Sequence, residues 1–186
     1  MINFEIYKSG RIIRYEENTQ LFNKEKINTL FIFHGLYGRG KNWQSFAKKI
    51  SENEKTTVVT VDLRNHGGNI FKDNMSYTLM MEDIFHLFNY LEIKKTNLLG
   101  HSMGGKLAML ITLLKPKCIN KLIIADIAPI NYINDNENII DALLNLDLTL
   151  VRNRNHADEL LSNEIEQKFL RSFLLQNIKL SDGKYK

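Results

Sequence analysis

The stretch LLGHSMGGKLAM, residues 98–109, decides the fold of this chain. It holds Ser102 in a G-x-S-x-G pattern, between an apolar run that predicts a strand at 96–99 and a helical pattern at 104–114. A serine in such a strand-to-helix turn takes a strained backbone conformation, and the flanking glycines remove Cβ atoms that would clash there. The turn also exposes the hydroxyl. The pattern therefore predicts a nucleophile elbow with Ser102 as the nucleophile.

Strands and helices alternate on both sides of this turn. Apolar runs of the kind found in buried parallel strands occur at 29–33, 56–61, 96–99 and 121–126. Helical apolar spacing follows the first of these at Trp43, Phe46, Ala47 and Ile50, and a further helix is predicted to begin after the N-cap residue Ser76. This alternation predicts an α/β fold, with a mostly parallel sheet and helices on both faces.

Most of the glycines follow predicted strands. Eight of the ten form three clusters, at positions 35, 38 and 40, at 67 and 68, and at 100, 104 and 105. Since parallel strands end at the same edge of a sheet, these clusters meet at the carboxyl edge, where open α/β sheets bind ligands.

A second motif, HGLYG at 34–38, directly follows the predicted strand 29–33. Acyl transfer needs two backbone donors aimed at the developing oxyanion, and the N–H groups of Met103 and Leu36 are the natural pair. Taken alone, a turn glycine explains the His-Gly pair nearly as well. We expect three residues of this loop and of the elbow to form part of the substrate-binding site: His34, Gly35 and His101.

The strand pattern stops after residue 130. Apolar residues then recur at helical spacing, and the sequence NEIE at 163–166 is typical of a capping box that starts a helix. We therefore expect a core at 1–130 and a helical cap at 131–186. The core is predicted to begin with a hairpin formed by the runs 2–7 and 11–15.

Five segments together resemble the α/β-hydrolase superfamily, and within it the small YbfF-like esterases. They are HGLYGRGKNW (34–43), VDLRNHGGN (61–69), SYTLMMEDI (76–84), LLGHSMGGKLAM (98–109) and KLIIADIAP (121–129). The resemblance implies an α/β-hydrolase fold and hydrolysis of short acyl esters or thioesters, with no metal or organic cofactor. It also implies that the helices after residue 130 form a cap.

Two acids are candidates for loop or triad roles. Asp126 ends the predicted strand 121–126 and is either the acid of a catalytic triad or a structural turn residue. Asp62 follows the strand at 56–61, and we interpret it with Arg64 as a pair that fixes the loop.

The catalytic histidine is missing from its expected place. In this fold the triad order is serine, acid, histidine, and only His156 follows Ser102. His156 lies in the predicted cap, so we expect the catalytic histidine beyond residue 186. The last strands of the core are then absent as well, which corresponds to roughly 60 residues at about 30 per βαβ unit.

Composition excludes several other classes. The net charge is +4, from 25 basic and 21 acidic residues, and the basic residues form no dominant block, so we expect no nucleic-acid partner. The single cysteine excludes a disulfide scaffold and a multi-cysteine zinc site. No apolar stretch approaches the ~18 residues of a membrane span, and a cytoplasmic protein that binds a small acyl ester is expected.

Other functions remain open at this point. An acyltransferase, a lipase or a C–C bond hydrolase would use the same elbow, because the pocket and not the elbow selects the substrate. A catalytically inactive scaffold is a third possibility, and the missing histidine is its one support.

Overall fold

The computed structural model describes residues 1–15, 28–132, 137–181 and 184–185. The chain divides into two compact units, Met1–Pro129 and Ile130–Lys186. This division falls one residue before the boundary expected from the sequence. The assignment of the second unit as a cap remains a prediction.

A six-stranded sheet forms the centre of the first unit. Its strands are β1 (Phe4–Lys8), β2 (Arg11–Ile13), β3 (Asn28–Phe33), β4 (Thr56–Val61), β5 (Thr96–His101) and β6 (Ile119–Ala125). They lie in the order β2-β1-β4-β3-β5-β6, and the last four are mutually parallel. The predicted N-terminal hairpin is present, and its turn residues Ser9 and Gly10 have φ of 50° and 72°, as a type I′ turn requires.

Three helices cover the two faces of this sheet: α1 (Gln44–Ser51), α2 (Tyr77–Tyr90) and α3 (Met103–Leu114). Side chains alternate along each strand, so Phe31 packs with α2 and α3 whereas Ile32 lies in the cluster that contains Ala47 of α1. Phe31 and Ile32 are both fully buried. Burial of each such side chain contributes about 1.5–3 kcal/mol to the free energy of folding. The predicted fold class is confirmed.

The helix α2 begins where the sequence predicts. The Ser76 hydroxyl accepts a hydrogen bond from the backbone N–H of Leu79 at 3.2 Å, which caps the helix. Apolar residues one helical turn apart then face the sheet, since Met80, Ile84 and Leu87 are at most 2% exposed.

The buried face of α1 is narrower than predicted. Phe46 and Ile50 are 41% and 37% exposed, whereas Ala47 and Ser51 are fully buried. Ala47 and Ser51 are four residues apart and form one stripe on the helix. Trp43 belongs to a preceding 3₁₀ helix, Gly40–Trp43, so its position does not continue the α-helical spacing.

The second unit contains the helices α4 (Glu137–Asn145), α5 (Arg154–Leu161) and α6 (Lys168–Leu174). The predicted capping box at 163–166 is wrong, because α6 begins at Lys168. In the segment before α6, the carbonyls of Ile165 and Glu166 accept hydrogen bonds from the Arg171 guanidinium, each at 2.8 Å. The residue before α6, Gln167, has φ of −73° and ψ of 106°, so the chain is extended directly before Lys168.

The second unit also contains strand structure that the sequence did not predict. The segments β7 (Leu180–Ser181) and β8 (Lys184–Tyr185) pair as a short antiparallel hairpin. Within the described ranges, every helix is too short or too polar to cross a bilayer.

Candidate active site

Ser102 lies in the turn between β5 and α3, in a backbone conformation that few non-glycine residues adopt. Its φ is 51° and its ψ is −116°, and it is the N-cap residue of α3. The side chain is half-buried, and its hydroxyl forms no hydrogen bond with any residue that the structure describes. The predicted strand-to-helix turn with a strained serine is therefore present, and the role of Ser102 as the nucleophile stays a prediction.

Close backbone packing makes the glycines of this turn necessary. A Cβ on Gly100 would lie 2.3 Å from the carbonyl oxygen of Gly104, and a Cβ on Gly104 would lie 2.4 Å from that of Phe33. Real Cβ atoms do not approach backbone so closely. The helix α3 thus presses directly against the ends of β3 and β5.

The loop after β3 lies directly beside the elbow. A Cβ added to Gly35 would be 3.2 Å from the Cβ of Ser102 and 2.8 Å from Nδ1 of His101. The Gly38 N–H donates to the Gly35 carbonyl at 3.0 Å and closes a tight turn around Leu36. The predicted substrate-binding residues Gly35 and His101 are therefore brought next to Ser102.

Two backbone amides near Ser102 are available to an acceptor. The Leu36 N–H has no hydrogen-bond partner among the described residues. Met103 is the first residue of α3, where N–H groups have no partner inside the helix and carry the positive end of its dipole.

The side chain of His34, a predicted substrate-binding residue, is buried in the loop after β3. Its side chain is 1% exposed, its Nδ1 lies 2.8 Å from the Gly35 carbonyl oxygen, and its Nε2 accepts from the Leu63 N–H at 3.0 Å. Burial lowers the pKa of the His34 imidazole to about 4, so the ring is neutral at pH 7. With both nitrogens engaged, His34 holds the loop, and its side chain is not free to contact a substrate.

Asp126 follows β6 at the same edge of the sheet. It has φ of 55°, its side chain is 89% exposed, and its Oδ2 lies 3.7 Å from Nε2 of His101. The Ser102 N–H donates to the Ala125 carbonyl at 3.1 Å, which joins the end of β6 to the elbow. Asp126 and Ser102 are thus on adjacent turns.

The predicted pair of Asp62 and Arg64 does not form. Asp62 holds the loops without Arg64, since its carboxylate accepts from the N–H groups of Gly40 at 2.7 Å and Gly68 at 2.9 Å. Arg64 instead forms a two-pronged ion pair with Asp83 of α2, at 2.8 and 2.9 Å, and both side chains are about 10% exposed. Sequence reasoning missed this pair because the two residues are 19 positions apart.

No histidine of the described structure hydrogen-bonds to Ser102. His86 is exposed on α2, and Nδ1 of His156 in α5 faces the N–H groups of Arg152. The described residues also contain no cluster of three or more histidine, cysteine or acidic side chains that could hold a metal ion.

Similarity to a known protein family identifies the class to which this fold and this turn belong. Residues 28–176 match the family described as the alpha/beta hydrolase fold. The chain therefore belongs to the α/β-hydrolase family, and the resemblance noted in the sequence is confirmed.

Several relatives of this chain are named as esterases or lipases. The sn-1-specific diacylglycerol lipase ABHD11 of Xenopus laevis is 34% identical over 84% of this chain and 51% of its own length. Esterase YbfF of Escherichia coli is 28% identical over 88% of this chain and 63% of its own length. The solved structure of a marine microorganism esterase, 34% identical, superposes with a TM-score of 0.86 and covers all of this chain and 67% of that one. This chain spans about half the length of the curated relatives that it matches.

Proposed function

We propose that this chain carries the nucleophile and the oxyanion-binding amides of a serine hydrolase for carboxylic esters or thioesters of short acyl chains. The observation that carries the proposal is the strained Ser102, with φ of 51° and an uncommitted hydroxyl, beside the Gly35 loop. Family membership and the esterase names of its relatives support the same chemistry.

The reaction begins with attack of the Ser102 Oγ on the acyl carbonyl. Negative charge then develops on the carbonyl oxygen, and the N–H groups of Leu36 and Met103 stabilise it. Each such donor contributes about 10²–10³ to the rate in serine hydrolases. The alcohol or thiol leaves, and water releases the acyl group from Ser102 in a second attack.

The general base is a histidine outside these 186 residues. His34 and His66 are engaged in loop hydrogen bonds, His86 is exposed on α2, and His156 faces Arg152. His101 precedes the nucleophile and packs against Gly35. A protein about twice this long, like the curated relatives, has room for the missing base.

The acid that orients this base is Asp126 or a carboxylate outside the chain. The Ser102 N–H bonds to the carbonyl of the residue before Asp126, which supports Asp126; its carboxylate is 89% exposed and lies 3.7 Å from Nε2 of His101. In the full-length protein, D126N separates the two: loss of about 10⁴-fold in kcat assigns the role to Asp126, and a change below tenfold assigns it elsewhere.

A fluorophosphonate probe tests the nucleophile directly. The full-length protein is expected to be labelled at Ser102, located by peptide mass spectrometry, and S102A is expected to be unlabelled. The variant S162A, at an exposed serine of the second unit, serves as the matched control and keeps its label. Folded wild-type protein that stays unlabelled contradicts the proposal.

The name of the frog relative favours a second candidate substrate, a glycerolipid ester. A panel of p-nitrophenyl esters of increasing acyl length, thioesters and diacylglycerol separates the two. Turnover confined to diacylglycerol or to long acyl chains supports a lipase and contradicts the short-acyl proposal.

A further inference from the structure

The loop after β4 carries two adjacent apolar side chains on its surface, Ile70 and Phe71, which we call the apolar tip. Ile70 is 88% exposed and Phe71 is 75% exposed, and Ile70 is the most exposed large apolar residue in the part of the chain that the structure describes. Apolar residues scattered singly over a surface are ordinary. Two such residues side by side on one loop indicate a contact with something outside the described chain.

Hydrogen bonds fix the backbone on both sides of the apolar tip. On one side, Nδ2 of Asn69 donates to the carbonyls of Asp62 and Leu63, at 2.7 and 2.9 Å. On the other side, the N–H and the carbonyl of Lys72 both bond to the side-chain amide of Asn65, at 2.8 Å each. The tip can turn towards the interior only if these bonds break, so its exposure is part of the fold.

The apolar tip belongs to the edge of the sheet that carries Ser102. Since β3, β4 and β5 are parallel, the loops that follow them share this edge. The loop with the tip contacts the loop after β3, because His66 accepts a hydrogen bond from the Tyr37 N–H at 3.2 Å. Gly35 of the loop after β3 packs in turn against Ser102. A surface that contacts the tip therefore meets the molecule at the edge of the candidate active site.

The charges around the apolar tip balance one another. Arg64 and Lys72 both lie against the carboxylate of Asp83, at 2.8 and 3.7 Å. Asp73 follows Lys72 in the same exposed stretch, so two cations stand beside two anions. Attraction to the tip then depends on apolar contact and not on net charge.

The size of the apolar tip favours a lipid surface over a protein partner. A fully covered aromatic side chain buries roughly 150–250 Å², and isoleucine is smaller than phenylalanine, so the tip offers less than about 500 Å². A stable protein–protein interface buries about 800 Å² on each partner. A bilayer needs no surface of complementary shape, and it accepts projecting apolar side chains at its headgroup boundary.

We propose that the apolar tip docks the full-length protein onto a lipid surface, with the side chains of Ile70 and Phe71 inserted at the boundary between headgroups and acyl chains. Docking through the tip turns the edge that carries Ser102 towards the lipid. Two side chains insert less apolar material than one fatty acyl anchor, which binds with roughly 10⁴ M⁻¹. The binding is therefore reversible and needs millimolar lipid. This inference goes beyond the proposed function and does not require turnover.

Flotation of the full-length protein with phosphatidylcholine vesicles tests the docking, and every protein in it carries S102A so that no vesicle ester is cleaved. I70S/F71S removes the tip, and L113S/L114S is the matched control, because it removes the exposed adjacent pair that ends α3. We expect I70S/F71S to partition at least about tenfold more weakly than the S102A parent, since burial of one large apolar side chain alone contributes about tenfold or more. L113S/L114S should float like the parent.

Three results of the flotation overturn the proposal. The first is equal flotation of I70S/F71S and the S102A parent, and the second is a parent that stays in solution at millimolar lipid. The third is parent binding that disappears when the salt concentration rises about tenfold, because salt screens attraction between charges and leaves apolar contact intact. Urea denaturation should find I70S/F71S as stable as its parent, since both substituted side chains are exposed.

A tryptophan at the tip reports its surroundings without removing it. The emission of F71W/S102A minus that of S102A isolates the new indole from Trp43, the single tryptophan of the chain. This difference spectrum should show an exposed indole in buffer and a blue shift with phosphatidylcholine vesicles. Emission that is already blue-shifted in buffer shows that the rest of the protein or a second copy covers the tip, and it overturns the proposal. An indole that stays exposed on floated protein overturns it as well.

Fluorophosphonate labelling separates the docking from the proposed function. With Ser102 intact and no vesicles present, I70S/F71S should be labelled at the rate of the wild type. Slower labelling by about tenfold or more places the tip in the active site and contradicts a docking role. A wild type that floats but stays unlabelled at Ser102 contradicts the proposed function and supports the docking.

Discussion

A Cβ atom on Gly35 would lie 3.2 Å from the Cβ of Ser102, so the backbone of the loop after β3 packs directly against Ser102. This contact brings the Leu36 amide to the same edge of the sheet as the Met103 amide. This short distance leaves little room for a side chain at position 35, so we expect substitution of Gly35 to disturb the site.

Gly35→Ala should lower the turnover of the full-length protein. The added methyl would lie 2.8 Å from Nδ1 of His101, and relief of this clash displaces the loop that contains Leu36. We expect kcat and the rate of fluorophosphonate labelling to fall by at least about tenfold. Gly68→Ala is the control, because the closest atom to its methyl, at 2.7 Å, is the movable end of the Asn3 side chain, and the Asp62 carboxylate is at an ordinary 3.8 Å. Equal kcat values for the two variants contradict the expected displacement.

Ser102→Gly should stabilise the protein while it abolishes activity. Glycine adopts φ of 51° with little strain, whereas Ser102 bears a strain of order 1–3 kcal/mol there, partly offset by the backbone entropy of glycine. We expect a net gain of about 1 kcal/mol in the free energy of unfolding, measured by urea denaturation. Ser102→Ala is equally inactive but keeps the strain, so its stability should stay near that of the wild type. The opposite order of the two variants would show that the turn is not strained.

His34 should make the protein less stable in mild acid. Burial lowers the pKa of His34 in the folded state to about 4, against about 6.5 in the unfolded chain, so the unfolded chain binds the extra proton first. Its contribution is therefore fully present above pH 6.5 and is lost as the pH falls from 6.5 towards 4. At pH 5 the loss amounts to about 2 kcal/mol in the free energy of unfolding.

Denaturation of the wild type and of H34Q at pH 7.5 and pH 5 measures this effect. Glutamine does not titrate, so the difference in stability between the two pH values should be smaller in H34Q by about 2 kcal/mol. The same pH dependence in both proteins rules out His34 as its source.

The ion pair of Arg64 and Asp83 should be important for stability. Both side chains are about 10% exposed, so Asp83→Asn leaves a largely buried guanidinium without its counter-charge. We expect a loss of about 3 kcal/mol, as for other broken buried pairs. Glu52→Gln, which breaks the exposed pair with Lys49, is the control and should cost less than about 1 kcal/mol. Similar losses in the two variants contradict the role of burial.

The sequence predicted the parts of the fold that depend on local patterns. The strand Thr56–Val61 has the predicted bounds, because it is a continuous β-branched run that is buried in the middle of the sheet. The elbow was recognisable because Ser102 and its glycines are within a few residues of one another. The Ser76 cap was predicted for the same reason.

Contacts between distant residues were not predictable in the same way. The bond from the Leu63 N–H to His34 turns a predicted substrate-binding residue into a buried support of the loop. Arg64 has Asp62 near it in sequence but pairs with Asp83 in space. In each case a polar group finds its partner only after the chain has folded.

The close approach of Gly104 to the Phe33 carbonyl has an evolutionary consequence. Main-chain packing at Gly100 and Gly104, and not the hydroxyl, shapes the bend at position 102. A carboxylate or a thiol substituted there would be presented from the same bend, so new reaction types can arise by single replacements of the attacking group. Gly100 and Gly104 cannot be replaced in this way, because a Cβ at either position would clash with the backbone. We therefore expect related proteins to differ at position 102 and to keep both glycines.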